Sequence, residues 1–161
     1  MPANQKPRKK YRPKPVFADP VRYVLNGFRG LTTVGDEVIK HKIRAYDALN
    51  HLRTGAGVFA DLDRLADALN VADALSLGGE IGQEYADQIR AGQDALFGMA
   101  ERSLTSGRFL FTGPELMAVN EAMAVYSAQM DVVTVSDFQT ALVCVASLTR
   151  QGKCRKLRLP A

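Results

Sequence analysis

Apolar residues recur every three or four positions along most of this 161-residue chain, in segments that end at glycine or begin at helix-capping residues. This spacing places the apolar side chains on one face of an α-helix, which must then bury that face against other helices. We expect helices over residues 35–53, 58–77 and 81–105. Gly92 falls inside the apolar stripe of the third helix and predicts close packing against another helix.

Three further helices are predicted from their starts. Thr112-Gly113-Pro114-Glu115 and Ser136-Asp137-Phe138-Gln139 each place a hydroxyl at the cap and Glu or Gln three residues later. In this pattern the two side chains satisfy each other's free backbone N–H groups. A short helix is also expected after Asp19-Pro20, where aspartate caps and proline fits the first turn.

These elements predict an all-α fold, a compact bundle of about five to six helices that forms one domain over residues 16–149. With 47% hydrophobic residues, the chain can bury a core of its own. Two short β-rich runs, Phe109-Leu110-Phe111 and Val132-Val133-Thr134-Val135, are long enough only for a minor β-ribbon.

The charges are segregated along the chain. Residues 1–15 contain six basic and no acidic residues, and residues 150–161 contain five basic and no acidic residues. Residues 16–149 hold the other ten basic residues and all 17 acidic ones, a net charge of −7, although the whole chain is +4. The first arm is rich in proline and poor in apolar residues, so we expect residues 1–15 to be disordered and residues 150–161 to form a basic tail.

The basic ends are the predicted binding sites. Lysine and arginine neutralise phosphates and release counterions, and an aromatic ring among them offers a surface for base stacking. The candidate nucleic-acid-binding residues are Arg8, Lys9, Lys10, Tyr11, Arg12, Lys14, Lys153, Arg155 and Lys156. Two alternatives stay open: the tails dock onto an acidic protein surface, including a second copy of this chain, or they only keep the chain in solution.

The sequence contains no catalytic or metal-binding signature. His41 and His51 are ten residues apart on one predicted helix. They are therefore about 15 Å apart along its axis, too far to ligate one metal ion. Asp47 and His51 are one helical turn apart and are expected to form a surface contact, because no nucleophile accompanies them. We expect a protein that is not an enzyme and holds no metal ion or cofactor.

The other reactive side chains give no site either. The predicted helix over residues 58–77 lacks the glycine and the terminal glutamate of a calcium-binding loop. We therefore expect its carboxylates to be solvated: Asp61, Asp63, Asp67 and Asp73. Cys144 lies in an apolar helix and is expected to be inert, whereas Cys154 between two basic residues is the more reactive thiol.

No apolar run approaches the roughly 18–20 residues needed to cross a bilayer. The two cysteines do not form a disulfide framework, because Cys144 lies in an apolar helix and Cys154 lies in the basic tail. We therefore expect a cytoplasmic protein with no membrane partner.

Asn120 and Ser127 lie on the same predicted helix side as Leu116 and Met123. A polar residue within an apolar helix face can determine which partner the helix pairs with. A homo-oligomer is therefore an open alternative.

The start Lys9-Lys10-Tyr11-Arg12-Pro13-Lys14-Pro15, followed by Asp19-Pro20-Val21 and later by Met130-Asp131-Val132-Val133-Thr134-Val135, resembles a group of small proteins of bacteriophages, prophages and other mobile elements of proteobacteria. The resemblance covers much of the chain and carries no function or residue roles. It implies a bacterial cytoplasm and favours binding to host machinery over metabolism.

We therefore expect a non-enzymatic binding protein that engages nucleic acid or a nucleoprotein complex through its basic termini. The alternative is an inhibitor or adaptor of a host protein, for example a defence component, that acts through its acidic helical surface.

Overall fold

The computed structural model describes residues 36–78 and 81–153. Over these residues the chain is all-α, as predicted, with five α-helices and no strand. The helices are α1 (Asp36–Thr54), α2 (Phe59–Gly78), α3 (Ala86–Ser106), α4 (Gly113–Val132) and α5 (Val135–Arg150). The helix expected after Asp19-Pro20 and the arm at residues 1–15 lie outside the described residues.

Helix α2 is the centre of the bundle and packs against each of the other four helices. Its sequence is apolar on most sides, which is typical of a helix surrounded by others. Leu65, Leu69 and Leu75 are at most 1% exposed and share one core with Ile89 of α3 and Val119 of α4. Within the described ranges, none of the helices is long and apolar enough to cross a membrane.

Helices α3 and α4 form the most extensive pair of the bundle. Gly92 on α3 lies against Ala122 and the carbonyl of Ala118 on α4, where an added Cβ atom would overlap the Ala122 side chain. The predicted close packing at Gly92 is therefore confirmed. The two helices are also joined by Arg102, which donates to both carboxylate oxygens of Glu115.

The capping motif was predicted correctly for α4 and two residues too late for α5. Glu115 accepts a hydrogen bond from the Thr112 N–H at 2.8 Å, which completes the predicted capping box. In α5 the cap is Thr134 and not Ser136. The Thr134 hydroxyl accepts from the Asp137 N–H, and the Asp137 carboxylate accepts from the Thr134 N–H, both at 3.2 Å.

Two other expectations are wrong. Helix α3 begins at Ala86 instead of residue 81, because Gly82 has a φ of 78°, a left-handed conformation that an α-helix does not contain. A single 3₁₀ turn, Gln83–Tyr85, then leads into α3. The β-ribbon does not form, since residues 109–111 are irregular and residues 132 and 135 belong to α4 and α5.

A buried glutamine on α4 fixes the connection between α2 and α3. Gln129 is 2% exposed, and its side-chain nitrogen lies 3.1 Å from the Ala72 carbonyl, 2.9 Å from the Ser76 hydroxyl and 2.7 Å from the Ile81 carbonyl. Buried backbone acceptors need such donors. The sequence pattern did not single out this residue, although its place on the same helix side as Tyr126 was the available signal.

Candidate functional site

The structure describes one of the nine residues predicted to bind nucleic acid. Lys153 is exposed, and its N–H donates to the Leu148 carbonyl at 3.0 Å, in a turn that contains Gly152. The basic tail therefore starts directly at the end of α5, where the helix dipole favours cations. The other eight residues lie outside the described part of the chain: Arg8, Lys9, Lys10, Tyr11, Arg12, Lys14, Arg155 and Lys156.

Lys153 also lies at the edge of a cleft between α2, α3 and α5. The cleft has a volume of about 370 Å³, which is within the range of ligand-binding pockets. Its walls are apolar, with Leu96 and Phe97 of α3 on one side and Val145 and Leu148 of α5 on the other. The space stays open because α5 packs chiefly on α2 and not on α3.

Polar side chains line another part of the cleft. Gln93 of α3 donates to the side-chain oxygen of Asn70 on α2 at 3.1 Å. One carboxylate oxygen of the half-buried Asp73 accepts no hydrogen bond from the described residues, and the Arg90 Nε lies 4.0 Å away. Burial raises the pKa of Asp73, and the charge of Arg90 opposes this shift. The cleft thus has a polar wall beside its apolar ones.

A second cavity, of about 290 Å³, lies beside His41 and is also lined by Arg44, Arg64 and Asp67. The His41 Nδ1 is 2.8 Å from the Tyr126 hydroxyl oxygen. Burial lowers the pKa of His41 and raises that of Tyr126. A neutral imidazole and a protonated hydroxyl can share this hydrogen bond, with the tautomer of the ring deciding which of the two donates. This contact joins α1 to α4, and Asp67 is the carboxylate that shares the cavity with His41.

The predicted surface pair of Asp47 and His51 does not form. The His51 Nδ1 instead lies 3.3 Å from a carboxylate oxygen of Asp61. The expectation that Asp61 is solvated is wrong, because it is 2% exposed. Asp61 turns back to accept from the Val58 N–H at 3.1 Å, and Arg64 donates to it at 3.2 Å, so the start of α2 is capped from inside the helix.

The remaining predicted side chains give a mixed result. Asp63 and Asp67 are exposed, as expected, whereas Asp73 is half-buried. Cys144 is exposed, not enclosed by apolar neighbours. Residues 36–78 and 81–153 contain no group of three or more side chains that could hold a metal ion.

Sequence reasoning missed one exposed apolar surface. Ile39, Ile43 and Tyr46 of α1 are 55%, 53% and 41% exposed. They follow each other at intervals of four and three residues, so they form one stripe along the helix. The pattern alone did not identify them as exposed, because the buried residues of α1, such as Ala45 and Leu49, have the same spacing.

The described part of the helical body is acidic. Up to residue 149 it contains 15 acidic and eight basic residues, a net charge of −7, and every helix carries at least one acidic residue. A body of this sign repels nucleic-acid phosphates as a whole.

Comparisons of the chain with family models, curated proteins and solved structures found no match.

Proposed function

We propose that this chain is a non-enzymatic binding protein of a mobile element, which acts in the cytoplasm and engages nucleic acid or a nucleoprotein complex through its basic termini. The separation of charge carries the proposal. Eleven basic residues and no acidic residue lie in the two terminal segments, whereas residues 16–149 have a net charge of −7. Phosphate-binding capacity is therefore concentrated at the chain ends.

The binding mode follows from the composition of these ends. Lysine and arginine side chains contact phosphates without reading bases, and Tyr11 adds a ring for stacking on an unpaired base. On double-stranded DNA each neutralised phosphate adds about 0.9 to the slope of log affinity against log salt concentration. The proposal therefore predicts binding that is insensitive to sequence and steeply dependent on salt.

Fluorescence anisotropy with labelled single- and double-stranded oligonucleotides tests the proposal. We expect glutamine at all basic positions of residues 1–15 and 150–161 to lower both the affinity and the salt slope. A control variant replaces Arg44, Arg53 and Arg108, which are exposed on the body, and is expected to bind like the wild type. Binding that does not change with salt, or with the terminal substitutions, would contradict the proposal.

A second candidate function is an inhibitor or adaptor of a host protein that acts through the helical surface. The open cleft between α3 and α5 favours it, because its apolar walls suit an apolar side chain of a protein partner. A pull-down from nuclease-treated bacterial lysate separates the two functions. A host protein retained by the terminal glutamine variant and lost with Val145→Arg, which fills the cleft, would support the second function.

A further inference from the structure

We propose that the exposed stripe of α1 is a homodimer interface, in which two copies of this chain pair their α1 helices in antiparallel orientation. The inference goes beyond the proposed function and does not depend on it. It rests on the positions of apolar, polar and charged side chains around a single helix.

The first observation is the spacing of the stripe. Ile39, Ile43, Tyr46 and Asn50 are separated by four, three and four residues and are all exposed. This is the a/d spacing of helices that pair with each other, and it extends over about 16 Å of helix. Asn50 occupies one of the a positions, where a polar residue limits the number of stable registers.

The second observation is the charge beside the stripe. Lys40 and Asp47 are exposed and occupy the same flanking position, the e position, seven residues apart. Neither forms an ion pair or a hydrogen bond with any residue of the described ranges. When two such helices run in opposite directions, e positions face e positions. Lys40 of each copy then lies beside Asp47 of the second copy, and the two-fold axis produces this pair twice.

A parallel pair does not use these charges. In that orientation the e position of one helix faces the g position of the other. The g positions of α1 are Lys42, which is bound to Asp131 at 2.8 Å, and Leu49, which is 6% exposed in the core. The exposed charges of Lys40 and Asp47 therefore fit the antiparallel orientation.

The antiparallel register also matches the apolar side chains. It places Ile43 of each copy beside Tyr46 of the second copy at the centre, with Ile39 beside Asn50 at each end. Tyr46 is already held in position, because its hydroxyl donates to the Met123 carbonyl of α4 at 3.2 Å. A side chain fixed before association loses less conformational entropy on binding. Because the interface is short, we expect a dimer that dissociates on dilution.

Sedimentation velocity of the full-length chain over a range of concentrations tests the dimer. We expect the mass to rise from the 17.6 kDa of one chain to twice this value. Ile43→Glu is expected to abolish the rise. Val143→Glu is the matched control, because Val143 is 70% exposed and belongs to a different helix, α5, and this variant should dimerise like the wild type.

A charge exchange tests the orientation. Lys40→Asp and Asp47→Lys each place like charges opposite one another, and we expect either change to weaken the dimer about tenfold or more. An equimolar mixture of the two variants restores opposite charges at both contacts. We therefore expect this mixture to form heterodimers, which a mutant that merely misfolds does not do.

Three outcomes would overturn the inference. The first is a wild-type chain that stays monomeric at all concentrations. The second is an equal loss of dimer in Ile43→Glu and Val143→Glu. The third is a mixture of the charge variants that remains as monomeric as each variant alone. A monomeric wild type whose melting temperature falls with Ile43→Glu would assign the stripe to a contact within one chain.

Discussion

Gly92 of α3 and Ala122 of α4 approach so closely that no side chain fits between the two helices. We expect Gly92→Ala to destabilise the protein by about 1–3 kcal/mol through overpacking. The ~1 kcal/mol that alanine gains over glycine within a helix offsets part of this cost. Gly98→Ala is the control on the same helix, since its added Cβ atom makes only ordinary contacts. Denaturant unfolding should show opposite shifts for the two variants.

The position of the α5 cap gives a second prediction. Thr134→Ala removes the hydroxyl that accepts from the Asp137 N–H, and we expect a loss of about 1–2 kcal/mol in the free energy of unfolding. Ser136→Ala changes a hydroxyl two residues later and should have little effect. The same denaturant titration measures both. A larger loss for Ser136→Ala would show that Ser136 caps α5, as the sequence motif predicted, and would contradict the cap at Thr134.

The ion pair between α3 and α4 predicts a dependence on pH. Hydrogen bonds from Arg102 lower the pKa of Glu115 to about 2. Because this value lies below that of the unfolded chain, the carboxylate stabilises the fold above its ordinary pKa of 4.5 and loses this effect as the pH falls towards 2. We expect Glu115→Gln to cost about 1 kcal/mol at neutral pH, since solvent screens the half-exposed Arg102.

The measurement for this pair is the stability of Glu115→Gln relative to the wild type between neutral and acidic pH. The difference should shrink towards zero as the carboxylate of the wild type becomes protonated. Glu121→Gln, at an exposed site on the same helix, gives the control for the charge change. A difference that stays constant with pH would show that the cost of the substitution is not electrostatic.

His41 predicts a second effect of pH. Burial lowers its pKa below the ordinary value of 6.5, so the unfolded chain binds this proton more readily than the folded chain. The free energy of unfolding is therefore unaffected by this histidine above the ordinary pKa of 6.5, and it falls as the pH decreases below that value. We expect the melting temperature of the wild type to fall between about pH 7 and 5. His41→Gln should flatten this fall, and His51→Gln, on the same helix, should retain it.

The sequence predicted most of the helices because their ends have strong local signals. Helix α1 ends at Thr54, before Gly55 with a positive φ, and α4 begins after the capping box of Thr112 and Glu115, each within one residue of the expectation. Local patterns failed where two residues offered the same chemistry. Thr134 and Ser136 both present a hydroxyl with a carboxylate or amide three residues later, and tertiary packing selects the first.

The candidate sites were harder to predict because they depend on contacts between distant segments. Asp61 looks like any surface aspartate in the sequence, yet it is buried where α1 and α2 meet. The stripe of Ile39 and Ile43 is as apolar as the buried face of α1, and only the positions of the other helices leave it exposed. The cleft likewise exists because α5 and α3 both pack on α2 with little contact between them.

The placement of α5 on α2 has a consequence for how the molecule moves. Only Val135 and Ala141 of this helix are buried, so it holds a small share of the apolar contacts in the bundle. Segments with few buried contacts open at a lower free energy than the whole domain. We therefore regard α5 as a separate unit of local unfolding, whose amide protons exchange with solvent before those of α2. The position of the C-terminal cations relative to the bundle then depends on an equilibrium between a state in which α5 is packed on α2 and a state in which it is detached.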